Sequence, residues 1–183
     1  MDSFVAQLRE LLVARSEGGD QVNWGEVEQQ YGFQFPDDYK EFVAVFGEGS
    51  IEETLWITIP IAAPDPMARC VDRLPDHVLE FPEAHEWADE VAAQKYRLED
   101  VLIWGETSEA DILGWLTCST NPDDWPLAVF SRDEASWSVH FCSMSEFLVK
   151  LLRADFEKFP ISTRRLSSLE QARFIRTREG GIT

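Results

Sequence analysis

The chain has 183 residues, 44% hydrophobic and 12% aromatic, enough for one substantial core and too apolar for a disordered polymer. Thirty-four Asp and Glu against sixteen Lys and Arg give a formal net charge of −18 and a pI near 4.4. A field of that sign repels phosphate backbones and anionic membrane surfaces and favours basic partners, so neither nucleic acid nor membrane is an expected ligand.

The charge is uneven. Residues 161–183 carry five arginines (164, 165, 173, 176 and 178) against two glutamates, a net of +3, which leaves −21 on residues 1–160. The expected organisation is one domain over 1–160 followed by an Arg-rich tail over 161–183, helical or mobile. Cys70, Cys118 and Cys142 are an odd set without paired spacing, which suits reduced thiols in a cytoplasm. The start, Met1-Asp2-Ser3-Phe4, has no basic n-region or long apolar run, so no signal peptide is expected.

Phe4, Leu8, Leu11 and Leu12 recur at helical spacing and predict a helix over about Ser3–Arg15. Asn23, with Glu26 three residues on, predicts a capped second helix that Gly32 stops. Pro36 opens a third, to Phe46, with Asp37 and Asp38 opposing the positive end of its dipole and Tyr39, Phe42, Val43 and Phe46 on one face. Ile51–Ile59 reads as a strand. Residues 67–95 look helical in two pieces cut by Pro75 and Pro82. Short β-prone runs follow at Val101–Trp104, Ile112–Thr117, Leu127–Ser131 and Trp137–Phe141, joined by polar turns that suggest antiparallel hairpins. A second capping box, Ser143 with Glu146, opens a helix bearing Phe147, Leu148, Leu151 and Leu152, and Ser167 with Glu170 predicts another short helix. The order indicates an α+β domain around a mostly antiparallel sheet.

No catalytic constellation stands out. His77 and His85 are eight residues apart and lack the spacing of a helical zinc pair. His140 and Cys142 alternate on a strand and share a face, and Cys118 is the third residue of a conceivable metal site or enzyme centre. No Walker loop, dinucleotide fingerprint or EF-hand occurs, so no cofactor is expected. Seven tryptophans fit a core or a ligand groove. What remains is surface: Glu48, Glu52 and Glu53 after the third helix, Glu106, Glu109 and Asp111 at one turn, Asp123 and Asp124 at the next. If these loops share one edge of the sheet, they form an acidic rim around aromatic groups, suited to a basic protein partner. Turns are polar in most proteins, so the same clusters also fit solubility alone.

Two blocks resemble a known family. The first is Trp24, Glu28, Tyr31-Gly32, Phe35-Pro36-Asp37-Asp38-Tyr39-Lys40-Glu41-Phe42 and Gly47-Glu48-Gly49-Ser50-Ile51. The second is Val101–Gly105, Ala110-Asp111-Ile112-Leu113-Gly114-Trp115, Trp125-Pro126-Leu127-Ala128-Val129 and Ser143-Met144-Ser145-Glu146-Phe147-Leu148. In order and spacing they are similar to the SUKH superfamily, which includes the yeast cell-wall-synthesis regulator and many bacterial immunity proteins. The chain departs from the pattern at Ala110, where the family's turn has glycine, and residues 67–95 and the Arg-rich tail look like elaborations. The resemblance implies a non-enzymatic SUKH-like binding domain. It most often implies an immunity protein that neutralises a cognate toxin, commonly a nuclease with a basic cleft. The alternative it leaves open is a regulatory or scaffold protein with an endogenous partner. Less favoured is a metal-binding protein or enzyme using His140, Cys142 and Cys118.

Overall fold

The computed structural model describes residues 3–14, 18–63, 70–81 and 85–177. In chain order the elements are α1 (Ser3–Leu11), β1 (Leu12–Ala14), α2 (Trp24–Tyr31), α3 (Asp37–Val45), β2 (Gly49–Ile51), β3 (Leu55–Ile57), β4 (Asp72–Arg73) and α4 (Asp76–Leu79). There follow β5 (Glu86–Trp87), α5 (Glu90–Lys95), β6 (Val101–Thr107), β7 (Ile112–Leu116), β8 (Leu127–Ser131), β9 (Ser136–His140), α6 (Met144–Arg153) and β10 (Ala172–Arg176). The strands form one mixed sheet in the order β1-β10-β2-β3-β6-β7-β8-β9-β5, with β4 also on β6. The pairings are antiparallel except β1 with β10 and β5 with β9. This is the α+β class the sequence predicts.

Period-2 alternation divides the core. Leu102, Trp115, Leu127 and Val129 face α1, α3 and α6, where Leu8, Tyr39, Phe42, Phe147 and Leu151 are fully buried. Their sequence neighbours Val101, Leu116, Ala128 and Phe130 face the opposite way, beneath Leu74, Val78, Ala92, Tyr96 and Leu98. The 70–100 segment therefore covers the second face of the sheet and makes the domain three layers deep.

Local signals explain several boundaries. The Asn23 side chain accepts from the Glu26 N–H, and Gly32, at φ +78°, donates to Glu28 and ends α2. The Ser143 hydroxyl accepts from the Glu146 N–H and starts α6. Elsewhere the structure corrects the reading. The first helix stops at Leu11, because Leu12–Ala14 pairs with β10. The expected strand over Ile51–Ile59 is a tight hairpin, turned by Glu52 and Glu53 at φ +51° and +50°. Residues 67–95 contribute short helices and two-residue strands, with 64–69, 82–84 and the His77 side chain outside the described residues.

The largest correction is the tail. Where a helix or a mobile segment was expected, Ala172–Arg176 forms a strand between β1 and β2. Phe174 packs against Phe42 of α3 and Phe46 just after it, with ring centroids 5.9 and 5.5 Å apart. The strand fits because Gly49 has no side chain: a Cβ there would lie 2.4 Å from the Ile175 carbonyl. Arg173 pairs with Glu52 and Arg176 with Asp20, so two of the tail's five arginines lie against acidic residues of the body. Residues 178–183, including Arg178, are outside the described residues.

Candidate functional site

The hairpin topology settles where the acidic turns lie. In an antiparallel meander successive turns fall at opposite ends of the strands. Leu55 pairs with Thr107, and the Ser108 N–H donates to the Thr54 carbonyl at 2.8 Å, so the turns carrying Glu52, Glu53 and Glu109 adjoin. Glu106 is exposed opposite Trp56, itself 40% exposed. Asp123 and Asp124 lie at the other end of the sheet, in the β7–β8 connection. Glu48 is half-buried at the opposite end of β2 from Glu52 and Glu53. The eight carboxylates therefore do not form one rim.

Asp111 leaves the surface altogether. It is fully buried, and its carboxylate accepts from the Thr107 hydroxyl at 2.7 Å, the Arg132 N–H at 2.8 Å and the Ser162 N–H at 3.0 Å, with the Ser162 hydroxyl also against it. These bonds tie two turns to the segment after α6 and satisfy a charge that would otherwise be costly to bury. The turn end is also partly neutralised. Arg173 holds Glu52 through its side chain at 2.8 and 3.1 Å and through its backbone N–H, and that side-chain bonding sets the Glu52 carboxyl below its ordinary range. Lys158 contacts Glu134 in the β8–β9 turn.

The other end is different. Asp123 lies in the 3-10 turn Pro122–Asp124, and its carboxylate accepts from the Asp37 N–H at 2.8 Å. Asp38, next in the first turn of α3, accepts from the Ser145 N–H at 2.8 Å and its hydroxyl at 2.9 Å. Ser145 is in the first turn of α6, so one carboxylate serves two positive helix ends. Between these elements is a groove of about 470 Å³ lined by Asp37, Asp38, Glu41 and Asp123, with Trp115 and Trp125 as aromatic wall. A shallower hollow of about 250 Å³ shares Asp123, Trp125 and Ser143 with it and adds Asp124 and Phe141. No lysine or arginine lines either hollow, although the Lys40 Nζ lies 3.6 Å from the Asp37 carboxylate. Phe141 is 77% exposed, with the Lys95 Nζ 5.8 Å from its ring centroid. The result is an acidic trough with an apolar end. The sequence singled out Asp123 and Asp124 as partner-binding candidates, but placed Asp37 and Asp38 as helix-dipole partners and, with Glu41, in the family motif, and Phe141 at the end of a strand. The available signal was two acidic pairs, one opening α3 and one in the β7–β8 turn.

His140 and Cys142 are poorly suited to chemistry. Burial, with Lys150 nearby, pushes the His140 imidazole down to about 4. Its ring packs against Phe147 and Phe156, and Nε2 is 2.9 Å from the Ser138 hydroxyl. Burial pushes the Cys142 thiol up to about 12, far from the thiolate a nucleophile or metal ligand needs. Cys118 is exposed, and the described residues contain no group of three or more His, Cys, Asp or Glu able to hold a metal ion. No helix among them is long and apolar enough to cross a membrane. Of the tryptophans, Trp104, Trp115, Trp125 and Trp137 are buried.

Comparison with known families gives one finding. A family model designated SUKH_6 and described as SMI1-KNR4 cell-wall matches residues 21–148, from just before α2 into α6. Neither a curated protein nor a solved structure matches the chain significantly.

Proposed function

The chain belongs to the SUKH family, and from that premise we propose that it is an immunity protein that neutralises a basic bacterial toxin domain, of nuclease type, by direct binding. Its family is generally non-catalytic, its members typically bind proteins, and many are immunity proteins. The observation that carries the reading is the trough: five carboxylates and no cationic lining residue beside an exposed phenylalanine. An enzyme that handles phosphates has a basic cleft. Carboxylates held on rigid helix and turn ends offer such a cleft a complementary field, and Phe141 offers an apolar contact that screening by salt does not weaken. The net charge of −18 raises the encounter rate with a basic partner.

Co-expression with a candidate basic toxin domain drawn from the same gene neighbourhood tests this reading. The expected result is that cells survive and the two proteins co-purify. Killing of cells that make the folded protein, with no complex recovered, would overturn it.

A further inference from the structure

A third hollow, of about 560 Å³, lies in the 70–100 segment on the opposite face of the sheet from α3 and α6. Trp87 and Tyr96 meet in it with ring centroids 6.2 Å apart and planes at 45°, and Leu98 gives an apolar surface below. The pairing of β5 with β9 sets Trp87 against the buried Trp137, at 6.1 Å. Asp89 caps α5 by accepting from the Val91 and Ala92 N–H groups at 2.7 and 3.0 Å, which positions Glu90 at the rim. Glu86 and Glu99 are also exposed at the rim, against one cation, Arg97. The half-buried Trp87 ring, with the buried Tyr96 beside it and three exposed carboxylates around it, makes a cation receptor: the aromatic quadrupole attracts positive charge, and the rim attracts it directly. Tyr96 already meets an ammonium, since the Lys95 Nζ lies 4.9 Å from its ring centroid, and Lys95 is not among the residues that line the hollow.

We propose that this hollow binds a guanidinium or alkylammonium group together with its apolar stem, as an arginine or lysine side chain of a polypeptide presents it. The trough plays no part in this site, so the two stand or fall separately.

The test is an NMR titration of the ¹⁵N-labelled full chain with acetyl-Gly-Arg-Gly-amide, its citrulline counterpart and tetramethylammonium. The arginine peptide is expected to shift the Trp87 indole and the amides of residues 86–99, and the citrulline peptide to bind about tenfold more weakly, the equivalent of roughly 1.4 kcal/mol. Stronger binding of the peptide than of tetramethylammonium assigns the ligand to a polypeptide; the reverse assigns it to a small free cation and overturns the polypeptide source. Trp87→Leu risks loosening Trp137, so the paired variant is Glu86→Gln with Glu90→Gln, both at exposed positions, which is expected to weaken the arginine peptide by about tenfold. No shift at residues 86–99, equal binding of arginine and citrulline peptides, or unchanged binding by the glutamine variant would overturn the assignment.

Discussion

The Asp123 carboxylate accepts a hydrogen bond from the backbone N–H of Asp37 at 2.8 Å, across 86 residues of sequence. Helix α3 has Pro36 at its cap position and no side-chain cap of its own, so the β7–β8 turn supplies the missing acceptor. The same bond closes the acidic trough. Asp123→Ala is expected to cost about 1 kcal/mol of stability, as a lost N-cap. Asp124→Ala, one residue further on, is expected to cost almost nothing. Urea denaturation of both variants checks the pair.

Ala110 has φ +64° at the position where the family's turn has glycine. A left-handed L-residue costs about 1–2 kcal/mol, and the extra freedom glycine has when unfolded returns about 0.5–1 of that. Ala110 is exposed, so its methyl contributes little burial. Ala110→Gly is expected to raise the stability by about 0.5–1 kcal/mol, read from the denaturation midpoint at constant slope.

His140 predicts an acid sensitivity. Its folded value is about 4 against an ordinary 6.5, so the unfolded chain binds the proton more readily between those limits. Stability is full above about pH 6.5 and is lost as the pH falls towards 4, by about 3 kcal/mol from this group. Carboxylates add their own acid dependence, so the measurement is a difference. The gap in unfolding free energy between wild type and His140→Gln should change by about that amount between pH 7 and pH 4. Parallel curves would contradict the buried neutral imidazole.

The cysteines predict a labelling pattern. Cys70 and Cys118 are exposed, while Cys142 is half-buried with its thiol held protonated. Iodoacetamide at pH 8 is expected to modify Cys70 and Cys118 and to reach Cys142 only after denaturant is added, as peptide mass spectrometry would show.

Much of the fold is legible because its signals are local. The caps at Asn23 and Ser143 lie within three residues of their partners, and the alternation of β8 separates Leu127 and Val129 from Ala128 and Phe130 without tertiary knowledge. The Glu52–Glu53 turn was hidden because two left-handed glutamates break the preference for Asn and Gly at such turns. The final strand was hidden by a competing capping pattern at Ser167 and Glu170. A period-2 signal was nevertheless present, with Ala172 and Phe174 buried on either side of exposed Arg173. The trough was the least legible feature. Asp37, Trp115, Asp123 and Phe141 come from separate segments, and only strand order brings them together.

The most direct test of the central claim is calorimetric titration of a toxin domain that co-purifies with the protein against two charge-reversed forms of it. One form carries Glu41→Lys and Asp124→Lys in the trough; the other carries Glu53→Lys and Glu109→Lys at the opposite end of the sheet. Both are to be checked for unchanged folding by circular dichroism. The trough form is expected to bind at least about tenfold more weakly, with a loss that shrinks as salt rises, while the opposite-end form binds like wild type. Wild-type affinity in the trough form, with binding lost in the opposite-end form, would contradict the assignment of the trough as the partner surface.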